Sequence, residues 1–272
     1  MHSHLALLLL FSLPRFVLGS ANQVHLVKFP TCGTYSSSTF QNINAGVQLS
    51  NIKTVVSFGD SYTDNGQHAG GTPSPAVASG TNPEYGGRIS NGLMWEEDLA
   101  ANISSSTIVK NYALAGSTVD HTLWPSRANN GDMVKQVATY VGQNNGLNQD
   151  TTLYTVFFGI NDYAASIKDN VANLPAAAAQ VINQTEYLIS TQGAKNFLFI
   201  AVQFDRATSQ DFDNRIWQGA KSLRSSKGIN FAFVNWAELY DAIFANYQSF
   251  GYTNTSACLV SETTTSRWDV II

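Results

Sequence analysis

Five short apolar runs recur along the chain, at residues 53–58, 106–112, 153–158, 196–202 and 230–234. Their apolar character is continuous rather than alternating, which predicts strands buried on both faces, as in a parallel sheet. Between them the periodicity changes, and residues 93–101, 133–141, 175–191, 212–223 and 237–247 read as helices. In the second of these, Val134, Val137, Ala138 and Val141 fall on one face at the i, i+3, i+4, i+7 spacing. Strands alternating with helices predict βαβ units, hence a three-layer α/β/α sandwich around a parallel sheet of about five strands. Right-handed crossovers then bring the carboxyl ends of the strands to one edge of the sheet, where open α/β folds carry their sites.

The first apolar run is of another kind. Leu5 to Phe11 is interrupted by Pro14 and Arg15 and is too short to cross a bilayer. Gly19, Ser20 and Ala21 follow, so residues 1–21 read as a cleaved secretory signal and residues 22–272 as one domain. Three glycosylation sequons agree with secretion, at Asn102, Asn183 and Asn254. Cys32 and Cys258 are the only cysteines; they are read either as a disulfide or as two unpaired thiols. A hydrophobic share of 44% suffices for one sizeable core, and no linker or repeat divides the chain. The net charge of −4, with scattered Lys and Arg, offers no surface for nucleic acid. No later segment reads as transmembrane, and a monomer is expected.

Three polar motifs stand immediately after three predicted strands. They are Gly59-Asp60-Ser61-Tyr62-Thr63-Asp64-Asn65-Gly66, then Asn111 to Ser117 containing Gly116, then Gly159-Ile160-Asn161-Asp162. Acyl transfer needs a nucleophile and donors aimed at a developing oxyanion. Ser61 offers a hydroxyl and a backbone N–H, Gly116 an unobstructed N–H, and Asn161 an amide. Read singly, each glycine serves equally well as a tight turn. Their order, each after a strand, favours the chemical reading.

These blocks resemble the first three blocks of the SGNH (GDSL) hydrolases, whose fold is flavodoxin-like. The segment Gly87-Arg88-Ile89-Ser90-Asn91-Gly92-Leu93-Met94-Trp95 is similar to one shared by fungal and plant members. The branch named by this likeness is the secreted fungal acetyl-esterases of carbohydrate esterase family 16. The resemblance runs from about Lys53 to the C-terminus. It implies Ser61 as nucleophile and Ser61, Gly116 and Asn161 as the oxyanion hole. No Gly-x-Ser-x-Gly elbow is present, which argues against the α/β-hydrolase fold. The family closes on Asp-x-x-His. Here Arg267-Trp268-Asp269 supplies the aspartate as Asp269, and Ile272 stands in the histidine position. The sequence-based expectation is therefore a chain truncated before its catalytic histidine, slow as written and restored by Ile272→His with an extension. His68 and His121 are read as loop or surface residues.

The resemblance implies a carboxylic ester hydrolase that removes acetyl groups from plant cell-wall carbohydrates through an acyl-serine. Two alternatives are a lipase or acylhydrolase on lipid esters and a non-catalytic glycan-binding module. No metal site, phosphate loop or dinucleotide fingerprint is read, so no cofactor is expected. The expected partner is an acylated carbohydrate or another small ester.

Overall fold

The structure, a computed structural model, describes residues 32–73, 88–90, 92–204, 206–250 and 252–255. Six strands form one sheet: β1 (Ile43–Ala45), β2 (Thr54–Gly59), β3 (Ile108–Asn111), β4 (Thr152–Phe157), β5 (Asn196–Ala201) and β6 (Asn230–Asn235). Their order is β1-β6-β5-β4-β2-β3. All neighbours pair in parallel except β1, which runs antiparallel to β6 with Ile43 opposite Phe233. The five expected parallel strands are thus present, and the short β1 is added at one edge. Three residues are too few to leave a periodic signal.

Among the described residues are six α-helices: α1 (Trp95–Ile103), α2 (Met133–Gly142), α3 (Ile160–Asp169), α4 (Leu174–Gln192), α5 (Arg206–Lys227) and α6 (Trp236–Ala245). The pleat sends alternate strand residues to opposite layers. Val56, Phe58, Tyr154, Val156, Phe197, Phe199, Phe231 and Phe233 meet α2, α4 and α5 in the main core. Val55 and Leu153 face the other way and pack with Ala100 of α1. The main core is aromatic at its centre. Trp217 stands edge-on to Phe231 and Phe233 at 6.0 and 5.5 Å, and the Tyr140 and Tyr154 hydroxyls lie 2.6 Å apart.

Helix α5 extends beyond its expected span of 212–223 at both ends, because polar pairs such as Arg215 with Asp211 at 2.8 Å support turns that carry no apolar stripe. Helix α3 is the one helix the periodicity did not predict. It begins directly after Gly159, whose φ of +137° provides the turn from strand to helix. A Cβ there would meet Val202 and Phe212 at 2.9 Å, so both conformation and space call for glycine.

The register decides what meets at the sheet's edge. Gly59 at the end of β2 lies opposite Phe157 at the end of β4, and Ser57 opposite Asn111 of β3. The chain therefore leaves three adjacent parallel strands at nearly one level. The three polar motifs are the segments that leave.

Candidate active site

Ser61 lies in the tight turn that follows β2, closed by the Thr63 N–H donating to the Asp60 carbonyl at 3.0 Å. Asp60 is buried, and its Oδ1 accepts the Tyr62 N–H at 3.0 Å. The next carboxylate, Asp64, ties this turn to the loop after β3. Its Oδ2 accepts the Ala115 N–H at 2.8 Å, and its Oδ1 accepts the Gly66 N–H at 2.9 Å. The Leu114 N–H donates to the Gly59 carbonyl at 3.2 Å, a second tie between the same loops. Gln136 on α2 reads both groups of Gly59, accepting its N–H at 3.0 Å and donating to its carbonyl at 2.8 Å. Trp95 supports the same turn, its indole N–H donating to Thr63 Oγ1 at 3.2 Å, and buried Arg88 pairs with Glu97 at 2.5 Å.

Gly116 takes a φ of +80°, a conformation costly to a residue with a Cβ. Asn161 stands in the first turn of α3, and its amide reaches both other loops. Nδ2 donates to the Ser117 carbonyl at 2.9 Å and to Asp60 Oδ2 at 3.4 Å. The sequence-chosen Ser61 and Gly116 thus sit on two loops, and Asn161 in the first turn of α3 is joined to both through residues next to them. Among the described residues, neither the Ser61 N–H nor the Gly116 N–H donates a hydrogen bond. Asp269 and Ile272 lie outside the described residues, as does Cys258.

Next to these loops lie three buried carboxyls, Asp60 and Asp162 from the motifs and Glu96 from outside them. Asp162 is fully buried and accepts the Val119 N–H at 3.1 Å and the Trp124 indole N–H at 2.9 Å. It anchors the chain three residues beyond Gly116 to the residue next to Asn161. Burial pushes Asp162 up to about 7, against the pull of these donors. Burial likewise raises Asp60 to about 7, the Tyr62 N–H opposing and nearby Asp162 adding to the rise. Glu96 on α1, bonded to the Asn111 amide at 2.7 Å, is raised to about 8, again by burial first. Gly-Asp-Ser and Asn-Asp were visible as motifs; Gln136 and Glu96 carried no signal, because only packing brings them to the loops.

The pH dependence follows from these shifts. Unfolded carboxyls titrate near ~4, whereas Asp60, Asp162 and Glu96 hold their protons in the fold until about 7, 7 and 8. The folded state therefore binds more protons between these limits. Its stability is fully present below the unfolded value and is lost as pH rises through the folded ones. We expect a higher melting temperature at pH 5 than at pH 8, with a shallower slope in Asp60→Asn. A melting temperature that climbs from pH 5 to pH 8 in scanning calorimetry contradicts this assignment.

Both described histidines pair with carboxylates. His68 Nε2 lies 2.8 Å from Asp64 Oδ1, with the histidine side chain 45% exposed, in keeping with a surface position. His121 Nδ1 pairs with Asp132 Oδ2. Asp120, His121 and Asp132 bring ligand-type atoms within 4.8 Å of one another. Asp132 is already engaged on both oxygens, since its Oδ1 caps α2 through the Lys135 N–H at 2.7 Å. The cluster thus serves as a helix cap and a histidine–carboxylate hydrogen bond.

Comparison with known proteins places this chain in a family. Residues 55–271 match the model of the GDSL-like lipase/acylhydrolase family. A thermolabile hemolysin from Vibrio parahaemolyticus is 23% identical over 243 residues, covering 82% of this chain and 54% of its own length. An acetylesterase from Thermothelomyces thermophilus is 29% identical over 163 residues, covering 55% of this chain and 53% of its own. The chain spans about half the length of these curated relatives. An acetylxylan esterase from Geobacillus stearothermophilus aligns in structure at a TM-score of 0.43 and 13% identity, over 70% of this chain and 80% of that one. With the family match extending across most of its length, the chain belongs to the GDSL-like lipase/acylhydrolase family.

Proposed function

We propose that this protein hydrolyses carboxylic esters through an acyl-serine intermediate on Ser61. The observation that carries the proposal is the Asn161 amide bridging the Ser61 and Gly116 loops, beside two backbone N–H groups left undonated among the described residues. Under this proposal the Ser61 and Gly116 N–H groups and the Asn161 amide together form the cradle for a tetrahedral oxyanion. In this reading, Ser61 Oγ attacks the ester carbon as its proton passes to a base. The carbonyl oxygen takes up negative charge against the Ser61 and Gly116 N–H groups. Asn161 adds its amide by exchanging the long 3.4 Å contact with Asp60 for the substrate oxygen. Collapse of the intermediate expels the alcohol, and water then cleaves the acyl-serine. The base this chemistry calls for is an imidazole, and Asp269 is proposed as the residue that orients one.

The substrate class proposed is acylated carbohydrate of the plant cell wall. Its support is the resemblance to fungal acetyl-esterases and the similarity to acetylesterases from Thermothelomyces thermophilus and Hypocrea jecorina. A secreted location is proposed with it, supported by the signal-like residues 1–21 and by sequons whose Asn102 and Asn183 are exposed. Among the described residues no helix is long and apolar enough to cross a membrane.

A fluorophosphonate probe tests the proposal directly, because it traps an activated serine covalently. The expected product is a single adduct on the tryptic peptide containing Ser61, suppressed by an excess of p-nitrophenyl acetate. An adduct on another serine, or none alongside ester turnover, overturns the assignment.

A further inference from the structure

The sequon at Asn183 stands in the middle of helix α4, between Leu174 and Gln192. Residues two apart on a helix do not face the same side, and here they are divided between solvent and core. Asn183 is exposed, its Nδ2 donating to Gln180 Oε1 at 3.0 Å. Thr185 is fully buried, its hydroxyl donating to the Val181 carbonyl at 2.8 Å. Beside Asn183 lies an open groove of about 580 Å³ between α4 and α5. From α4 it is lined by Ala179, Ile182 and Asn183, and from α5 by Asn214, Gln218 and Gly219. A Cβ on Gly219 would fall 2.3 Å from Ile182, so the two helices touch there through a glycine. The two amides are half committed. Asn214 Oδ1 accepts the Phe40 N–H at 2.8 Å, and Gln218 Nε2 donates to the Ser38 carbonyl at 2.6 Å. Among the described residues, Asn214 Nδ2 and Gln218 Oε1 have no partner.

We propose that Asn183 is an N-glycosylation site open to its transferase only before α4 packs, and that the first sugars of its glycan then lie in the groove between α4 and α5. The site presupposes the proposed secreted location and is independent of Ser61. Transfer forms a bond from Asn183 Nδ2 to the anomeric carbon of an N-acetylhexosamine. The bond broken joins that carbon to the diphosphate of a lipid-linked donor, which leaves as the lipid diphosphate while Nδ2 gives up a proton. The acceptor pattern is the asparagine amide together with the hydroxyl two residues on. In the folded helix the Thr185 hydroxyl is buried and bonded to Val181, so the pattern is complete only while the segment is unpacked. Once the helix forms, the sugar is tethered to a residue that itself lines the groove. Size fits this occupant. A cavity of about 150 Å³ in another protein holds a benzene ring, so about 580 Å³ gives room for a sugar ring with its acetamido arm and part of a second ring. Chemistry fits as well. An N-acetylhexosamine offers a methyl group and an apolar ring face to Ala179 and Ile182. Its hydroxyl and amide groups suit the uncommitted Asn214 Nδ2 and Gln218 Oε1.

Two experiments on the full chain test this. In the first, chain made without glycans in bacteria is folded and offered to a purified oligosaccharyltransferase with a lipid-linked donor, beside a synthetic peptide covering residues 178–190. Exposing Thr185 in the folded chain requires α4 to open, so Asn183 is expected to be modified at least about a hundredfold more slowly there than in the peptide. Equal rates overturn the timing. In the second, chain secreted from a eukaryotic host is mapped by mass spectrometry and then treated, without denaturation, with a peptide N-glycosidase. Asn183 and Asn102, which is exposed in the last turn of α1, are both expected to carry glycans. Release from Asn183 is expected to be at least about tenfold slower than from Asn102, the shielding that an association worth about 1.4 kcal/mol gives. After denaturation the two rates should converge. Ala179→Arg, which sends a long side chain into the groove from an exposed position, is expected to remove the difference without lowering occupancy. Equal native rates in the unsubstituted chain overturn the lodging. A glycan on Asn102 beside a bare Asn183 overturns the whole inference and leaves the secreted location standing. A secreted-route product bare at both sites overturns the inference and counts against the secreted location as well.

Discussion

Where the imidazole base is present, replacing Ser61 with alanine is expected to lower ester turnover by about a million-fold while leaving the melting temperature within a degree or two. The size follows from how such sites work: nucleophile and base act as a unit, and removing the nucleophile from a well-studied serine protease costs about that much. The two hydroxyl-bearing residues that follow Ser61 are otherwise engaged. The Thr63 hydroxyl accepts the Trp95 indole N–H at 3.2 Å, and Tyr62 is turned to stack on Phe157. The residual rate measures what transition-state binding contributes without covalent chemistry. Stability should hold because the turn is kept by Asp60, Asp64 and Gln136 rather than by Ser61. Steady-state kinetics with p-nitrophenyl acetate, together with a thermal melt, checks both halves. Undiminished turnover would place the nucleophile elsewhere; a large loss of stability would give Ser61 a structural role instead.

Asn161→Ala is the second large effect, an expected fall in kcat of about a hundred- to a thousand-fold with KM nearly unchanged. Losing one oxyanion donor in other serine hydrolases has this magnitude, because the donor is aimed at charge that develops only in the transition state. The alanine also removes the 2.9 Å hydrogen bond to the Ser117 carbonyl, which costs about 1 kcal/mol of stability and loosens the Gly116 loop. The split between kcat and KM separates the two roles. A loop displaced from the site raises KM and lowers kcat together, whereas a lost oxyanion donor lowers kcat alone. The fluorophosphonate adduct on Ser61 should still form in this variant, only more slowly.

Both predictions depend on loops whose positions were partly legible before any coordinates. Strand and helix identities were encoded locally. Residues such as Val55, Val56, Tyr154 and Phe199 form runs that only a doubly covered parallel sheet satisfies, and the stripe on α2 needs a core on one side. With crossovers of one hand, that order already set the Ser61, Gly116 and Asn161 motifs on the same edge. Glycine at 116 and 159 was informative for the same reason: each position adopts a positive φ that the residue type itself announces.

Other features were decided only when the chain closed. The antiparallel β1 exists because Asn44 and its neighbours find β6, Asn44 pairing with Ala232 188 positions away, which no local pattern encodes. Helix α3 forms because Gly159 turns the chain directly out of β4, so what reads as a short polar motif is also the first turn of a helix. The raised carboxyls have the same origin. Asp60, Asp162 and Glu96 are ordinary acids in the sequence and become proton-holding groups only where packing removes water around them. The pocket lined by Tyr62, Phe157, Val202 and Trp236 is assembled from residues that follow or end four different strands. Local periodicity determined the elements and their order because burial of a strand or helix face is written into adjacent residues. Side-chain proximity across the sheet determined the protonation, the loop ties and the shape of the site, because those depend on residues far apart in the chain that meet only in the folded state.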